Sequence, residues 1–128
     1  MSLHSVSEFW PIYCMCISKN FLSSSPQKRR AYLANLLNAI SAIASRKEEI
    51  LHESLALFIQ KVFIVMGPFA YENETKTLLK LFISNLSSES SVIRRCASTS
   101  ISVITFNNRK PDVMLALVLD YLLGNTKY

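Results

Sequence analysis

Glycine and proline are scarce in this sequence, with 2 Gly and 4 Pro among 128 residues. An all-β fold with many tight turns needs more of these residues, so the composition excludes such a fold. Charged residues make up only 18% and hydrophobic residues 50% of the chain. That balance excludes a disordered tail and supplies enough apolar side chains for a buried core. The composition therefore predicts an all-α protein.

Cysteine is also sparse and its spacing fits no metal site. The chain has Cys14, Cys16 and Cys96, with no C-x-x-C pair. On a helix Cys14 and Cys16 would lie about 200° apart and could not hold one metal ion together. We interpret all three as small buried hydrophobes in a reducing compartment.

Long apolar runs are missing too. No segment reaches the roughly 18 uninterrupted apolar residues of a membrane span, because Gln60 and Lys61 interrupt one candidate run and Asp120 interrupts another. The first residues show neither a basic leader nor a signal-cleavage pattern. We expect no transmembrane segment and a cytoplasmic location, with the nucleus as a further compartment.

Residues for catalysis or cofactor binding form no recognisable pattern. A glycine-rich phosphate loop is excluded by the glycine count, and His4 and His52 lie far apart without ligand-spaced partners. No Ser, Cys or Lys has both a base and an orienting acid at a typical spacing. We predict that the chain is not an enzyme and binds no cofactor or metal. His52 is interpreted as a surface residue that faces away from Leu51 and Leu55.

What the sequence does contain is an internal repeat with an offset of 42 residues, as from Leu36 to Leu78. When the sequence is shifted by this offset without gaps, the apolar residues along one side of two successive predicted helices align with those of two later helices. The first stripe, Leu36, Leu37, Ile40 and Ala44, becomes Leu78, Leu79, Phe82 and Leu86; the second, Ile50, Leu51, Leu55, Ile59 and Val62, becomes Val92, Ile93, Ala97, Ile101 and Ile104. Two helices in about 42 residues is the period of HEAT and armadillo repeats. The sequence therefore predicts a stack of helix pairs that bury their faces against their neighbours.

The pattern predicts a HEAT-type α-solenoid of five to six antiparallel helices in one domain, residues 1–128. Its units are a flanking helix at 7–22, repeats at 27–66 and 72–106, and a half-repeat at 111–124. The predicted helices cover about 7–21, 28–45, 47–66, 73–86, 91–106 and 111–124. Asn73 and either Ser90 or Ser91 are the candidate N-caps, and Lys76 can pair with Glu72 at i+4.

Two predicted helices have a clear core stripe. In the third helix it consists of Leu51, Leu55, Phe58, Ile59, Val62 and Met66, and in the fifth of Ile93, Ala97, Ile101 and Ile104. We expect Ser98, Thr99, Ser100 and Ser102 to line the other side of the fifth helix. The last helix is apolar almost all round, which predicts that a partner covers it.

The start of the fifth helix resembles the second helix of a HEAT repeat, whose usual form is a turn followed by V-R-x-x-A. Ile93, Arg94 and Ala97 fit that form. The resemblance implies architectural roles for these three residues, with Arg94 at the helix end bonding turns or acids of adjacent repeats.

Longer blocks resemble the amino-terminal HEAT region of the huntingtin family. They are "SPQKRRAYLANLL" (25–37), "RKEEILHESLA" (46–56), "FAYENETKTLLKLFISNLSSESSVIRRCA" (69–97) and "LLG" (122–124). The polyglutamine and polyproline tracts that precede these repeats in that family do not occur in this sequence. The resemblance implies a non-enzymatic scaffold that organises motor–cargo complexes in vesicle transport and acts in autophagy and spindle orientation. Its implied partners are motor adaptors and adjoining HEAT repeats.

Two alternatives stay open at this point. One is a HEAT module of the transport-receptor or phosphatase-scaffold type. The other is weak binding of nucleic acid or phosphate through Lys28, Arg29, Arg30, Arg94 and Arg95. As protein contacts, the candidates are Lys28, Arg29, Arg30 and Arg95.

The register weighs against the nucleic-acid alternative. The 42-residue offset places His52 and Glu53 at the positions of Arg94 and Arg95. The basic pair is therefore not repeated along the stack, and a continuous basic ridge is not expected.

Overall fold

A computed structural model describes residues 21–124, and this part of the chain is helical, with no β-strand between those limits. Residues 21–23 are helical. The helices that follow are α1 (Pro26–Ala44), α2 (Glu49–Met66), a 3-10 turn (Gly67–Phe69), α3 (Glu72–Asn85), α4 (Ser91–Phe106) and α5 (Pro111–Leu122). The predicted all-α class is confirmed. The predicted helix at 7–22, together with Cys14 and Cys16, lies almost wholly outside the described residues.

Serine caps begin two of the helices. The Ser25 side chain accepts a hydrogen bond from the Lys28 amide at the start of α1, and Pro26 occupies the first turn, where its missing N–H removes no hydrogen bond. The Ser90 side chain accepts from the Ile93 amide and starts α4. Each cap satisfies an amide that the helix itself leaves unpaired.

Two of the other helix starts depart from the prediction by one or two residues. α3 has Tyr71 at its N-cap position, so Asn73 is not the cap. Glu72 and Glu74 lie in the first turn of α3, where the helix dipole favours acids, and the expected Glu72–Lys76 pair forms at 3.1 Å. α2 starts at Glu49 rather than at residue 47.

The helices pack in two layers. α1, α3 and α5 are successive neighbours in one layer, while α2 and α4 form the most extensive helix–helix contact in the other. Both layers contribute to one core, as stacked helix pairs require. Its fully buried members with the largest side chains include Phe21, Leu33, Ile40, Ile59, Phe63, Met66, Leu78, Leu79, Phe82, Ile104 and Met114.

α2 is the central helix of this arrangement. By length and composition, the segment Glu49–Phe69 would be able to cross a membrane, and it is the one such helix in the described part of the chain. More than half of the segment is buried inside the fold, against α1, α4 and the 3-10 turn. Core packing therefore accounts for the apolar residues of its buried side.

Three burial predictions are wrong, two of them because helices here are covered on more than one side. His52 is 2% exposed rather than on the surface, since the turn after α1 covers it. Ser100 on α4 is buried instead of lining the outer side, because α4 contacts α2, α3 and α5. Leu51, assigned to the core, is only half-buried.

Candidate functional site

The antiparallel helices give the stack two ends with different chemistry. The turn between α1 and α2 and the turn between α3 and α4 lie at one end, which we call the Arg94 end. The start of α1, the corner between α2 and α3, and the loop between α4 and α5 lie at the opposite end, the Arg29 end. The predicted basic residues are divided between these two ends.

At the Arg94 end, side chains hold the turns to the helices. Arg94 Nη1 donates a hydrogen bond of 2.6 Å to the Ser88 carbonyl oxygen in the α3–α4 turn. Asn85 Nδ2, at the last residue of α3, donates to the Ala44 carbonyl oxygen at the last residue of α1 (2.9 Å). His52 Nε2 lies 2.6 Å from the Arg46 carbonyl oxygen. These bonds satisfy helix-end and turn carbonyls that would otherwise stay unpaired.

The other predicted repeat residues lie close by on α4. Ile93 and Ala97 are buried, at 5% and 1% exposure. Arg95 points the other way, and its Nη2 lies 3.8 Å from Glu53 Oε1 on α2. Because both of these charged side chains are more than half exposed, the pair lies on the open face of the α2–α4 layer.

At the Arg29 end, two arginines lie over aromatic rings. The Arg29 guanidinium carbon is 5.1 Å from the centre of the Phe69 ring. The Arg30 guanidinium carbon is at the same distance from the Tyr71 ring. Both distances fall within the range of cation–π attraction. The first turn of α1 is thereby fixed to the corner between α2 and α3.

A cleft of about 170 Å³ opens between these elements, and we call it the arginine cleft. It is lined by Pro26, Arg29, Arg30, Leu33, Phe69, Tyr71 and Arg109. The last of these comes from the α4–α5 loop. None of its three arginines forms an ion pair with a carboxylate of residues 21–124. Lys28 is next to the cleft in sequence but does not line it.

The structure therefore separates the basic residues that the sequence suggested as one group. Arg29 and Arg30 lie in the arginine cleft, while Arg94 and Arg95 lie at the start of α4, at the opposite end of the stack. Sequence reasoning missed Arg109 and the two aromatic rings. The 42-residue offset could have indicated Arg109, since it aligns Arg109 with Gly67. This alignment places the α4–α5 loop at the same end of the stack as the corner between α2 and α3.

Exposed apolar side chains form a row along α2. Ile50, Leu57 and Ile64 are seven residues apart and are 47%, 50% and 65% exposed. Phe106, at the end of neighbouring α4, is 64% exposed. We call this set the α2 row. A second exposed apolar set, Val113, Leu115, Leu119, Leu122 and Leu123, follows α5 to its end.

Reactive and metal-binding chemistry has little support within residues 21–124. No group of three His, Cys, Asp or Glu side chains there could hold a metal ion. Burial raises the pKa of the Cys96 thiol, against the opposing effect of nearby Arg95, so the thiolate nucleophile is disfavoured. The Arg46 guanidinium bonds Glu48 and holds the pKa of that carboxyl below its ordinary value, which is a surface turn contact.

The chain is a segment of a HEAT-repeat protein. Three features define this class here: antiparallel helices in two layers, a repeat offset of 42 residues, and Arg94 bonded to the turn before its own helix. Comparison with known proteins specifies the family. The family model described as "Huntingtin, N-terminal HEAT 1" matches residues 18–110, and the chain belongs to that family.

Two relatives show the extent of the similarity. Over 99 residues, 77% of this chain, it is 40% identical to Huntingtin of Takifugu rubripes. Over 102 residues, 79% of the chain, it is 33% identical to the "HD protein homolog" of Dictyostelium discoideum. The aligned part spans only 3% of each of these relatives.

Proposed function

We propose that this chain is a non-enzymatic scaffold segment that binds other proteins through the open face of its α2–α4 layer. The observation that carries the proposal is the α2 row, an exposed apolar row on an otherwise well-packed helix. Residues seven apart on a helix return to nearly the same side and lie about 10 Å from one another. The row can therefore present several apolar anchors at once to a partner.

The composition of this face suits a protein partner. Its apolar members alternate with Glu53 and Lys61 on α2, and Arg95 on α4 is within reach of Glu53. An apolar row with a charged rim is typical of protein interfaces. Such a row is also the type of surface that accepts the apolar side of a partner helix.

The second exposed apolar set, on α5, supports a contact with a different protein surface from the one that the α2 row binds. α5 is the last described helix of its layer, and α3 covers one side of it. A helix at the end of a repeat stack exposes the side that a further repeat covers. We therefore assign α5 to an adjoining HEAT repeat and the α2 row to a separate partner.

Family membership extends the proposal to a cellular role. We infer that the chain takes part in a larger huntingtin-like scaffold for vesicle transport by motor proteins and for autophagy, in the cytoplasm and also in the nucleus. Membership in the huntingtin HEAT family supports this inference. Because the aligned part is 3% of the relatives' length, the role belongs to the whole assembly, to which this segment contributes a surface.

The test compares two double variants in quantitative capture experiments from cell extract. Leu57→Ser with Ile64→Ser removes two exposed anchors of the α2 row. Leu115→Ser with Leu119→Ser removes two exposed apolar side chains from α5 and serves as the matched control. We expect the first variant to lose motor-adaptor partners that the second retains, with both melting like the wild type.

Two results would contradict the proposal. Equal capture by the wild type and the α2-row variant would exclude this face as the interface. Recovery of nuclear-transport cargo or of a phosphatase catalytic subunit, in place of motor adaptors, would favour a transport-receptor or phosphatase-scaffold role instead.

A further inference from the structure

The arginine cleft has three properties that neither the repeat architecture nor the α2 row explains. It gathers three guanidinium groups from two separate segments, α1 and the α4–α5 loop. It holds two of them over aromatic rings. It contains no carboxylate from residues 21–124 that would neutralise them.

The position of these charges is unfavourable for the isolated helix. The first turn of α1 contains no acid and instead carries Lys28, Arg29 and Arg30. The amino-terminal end of a helix dipole is positive, so cations in this turn oppose it. α3 has the ordinary arrangement, with Glu72 and Glu74 in its first turn. An anionic ligand at the start of α1 would relieve this repulsion.

The aromatic rings hold the arginines in place without using their hydrogen-bond donors. A guanidinium group that lies on a ring keeps its N–H edge available for a carboxylate or phosphate. Phe69 is itself supported by Phe21, whose ring meets it edge-on at 5.3 Å, and Phe21 is fully buried. The Phe69 platform under Arg29 is 39% exposed, and its contact with Phe21 anchors it to the packed core.

The same stacking argues against nucleic acid as the ligand. Single-stranded nucleic acid binds aromatic platforms by base stacking. Here Arg29 lies over Phe69 and Arg30 over Tyr71, and Phe21 packs edge-on against Phe69, so protein side chains already occupy these ring surfaces. The second basic pair, Arg94 and Arg95, lies at the other end of the stack and cannot extend the same binding track.

The chain's own first residues are a poor ligand for the cleft. Residues 1–20 contain one acid, Glu8, and one basic residue, Lys19. That segment carries no net acidic charge, whereas the cleft presents three positive charges.

From this geometry we propose that the arginine cleft binds an acidic segment of a partner protein, in which neighbouring Asp or Glu side chains pair with Arg29, Arg30 and Arg109. This proposal rests on the proposed scaffold function in one respect, since both take the binding partner to be a protein. It concerns a surface at the end of the stack, separate from the α2 row. Carboxylates pair with guanidinium groups through two parallel hydrogen bonds, so a short run of acids matches the three arginines.

The experiment uses the 128-residue chain and a fluorescein-labelled peptide of eight residues in which Asp and Glu alternate with Ser and Gly. Binding is followed by fluorescence anisotropy at low ionic strength. The variant Arg30→Gln with Arg109→Gln removes one exposed charge from each of the two segments. We expect it to weaken binding by about tenfold or more, because two charge-assisted hydrogen-bonding groups are lost.

The matched control is Lys47→Gln with Lys61→Gln, which removes the same net charge from exposed positions outside the cleft. We expect it to change the affinity by less than about threefold, since distant surface charges are screened. A peptide with Asn and Gln in place of the acids should not bind. Tyr71→Leu, which removes the ring under Arg30, should weaken binding to a smaller extent than the double arginine variant.

Several outcomes would overturn the proposal. Equal losses in the arginine and lysine variants would show a general charge effect without a site. Full competition by inorganic phosphate at the concentration of the peptide would show a small-anion site. Tighter, arginine-dependent binding of a single-stranded oligonucleotide would assign the cleft to nucleic acid. In each of these cases the α2-row capture experiment would still report separately on the scaffold function.

Discussion

Glu53 and Arg95 face each other across the α2–α4 layer, with Glu53 Oε1 3.8 Å from Arg95 Nη2. Their sequence numbers differ by 42, which is the repeat offset. The two residues therefore occupy equivalent positions in consecutive repeats and carry opposite charges. Because one repeat carries an acid at this position and the next carries a base, the two side chains attract each other. The same charge in both repeats would make them repel.

The Glu53–Arg95 pair is expected to add little stability because both side chains are more than half exposed. In a double-mutant cycle with Glu53→Gln and Arg95→Gln, we expect a coupling free energy of about 0.5 kcal/mol or less. Urea unfolding at two salt concentrations measures it, and the coupling should fall as salt rises. A coupling well above 1 kcal/mol would show that the pair is a structural contact and that Arg95 is not available to a partner.

Ile93→Asp should unfold the segment. Ile93 is 5% exposed on α4, and an unpaired carboxylate at such a site is expected to destabilise the fold by about 3 kcal/mol or more. Thermal melting followed by circular dichroism tests this. Ser98→Asp, at an exposed position of the same helix, is the control and should melt close to the wild type. Wild-type melting of Ile93→Asp would contradict the placement of α4.

Gly67→Ala should destabilise the corner between α2 and α3. A Cβ at this position would lie 2.4 Å from the Asn107 carbonyl oxygen, so the backbone at the end of α4 would have to move. We expect a loss of about 2 kcal/mol in the free energy of unfolding.

Gly124→Ala provides the contrast for that measurement. Gly124 has open space around it but a φ of +74°, so its loss should be about 1 kcal/mol and arise from backbone conformation alone. If Gly67→Ala unfolds at the same urea concentration as the wild type, α2 and α4 do not approach this closely.

His52→Ala should be costly although the residue is polar. Its ring is 2% exposed and its Nε2 lies 2.6 Å from the Arg46 carbonyl oxygen. The substitution leaves a cavity and an unpaired carbonyl, so we expect a loss of about 2 kcal/mol. Lys61→Ala on the exposed side of the same helix should change stability by less than about 0.5 kcal/mol. Equal effects of the two substitutions would place His52 on the surface.

Cys96 should react slowly with iodoacetamide at neutral pH. The thiol is 6% exposed, and burial raises its pKa, so less thiolate is present at a given pH than in the unfolded chain. We expect alkylation in the folded protein to be about tenfold or more slower than in urea, measured by mass spectrometry of the peptide that contains Cys96. Equal rates in buffer and urea would show that α4 does not bury this side.

Helix type and order were predictable from sequence because they depend on local periodicity. α4 has the predicted bounds, 91–106, with Ser90 as its cap, since an apolar stripe and a serine-rich turn together specify a helix start. Asn73 shows the limit of this reasoning. A good capping residue lies at that position, yet the helix already begins at Glu72, and Tyr71 takes the N-cap position without a side-chain cap hydrogen bond.

Burial on the flanks of a helix was less predictable. A prediction from one apolar stripe treats each helix as buried on one side, whereas α2 and α4 contact several neighbours. His52 and Ser100 lie on these flanks, and both are buried. For the candidate site, the sequence identified Arg29 and Arg30 but not Arg109, because nothing local connects the α4–α5 loop with the start of α1.

The sequence by itself determined the all-α class, the 42-residue repeat and most of the residues that face the shared core, because these follow from the spacing of apolar side chains along the chain. Only the tertiary structure decided which charges meet. The antiparallel arrangement of the helices brings Arg109 to Arg29 and Arg30, and Glu53 to Arg95, while it places the two basic groups at opposite ends. Electrostatic contacts depend on distances in space, and helix packing sets those distances.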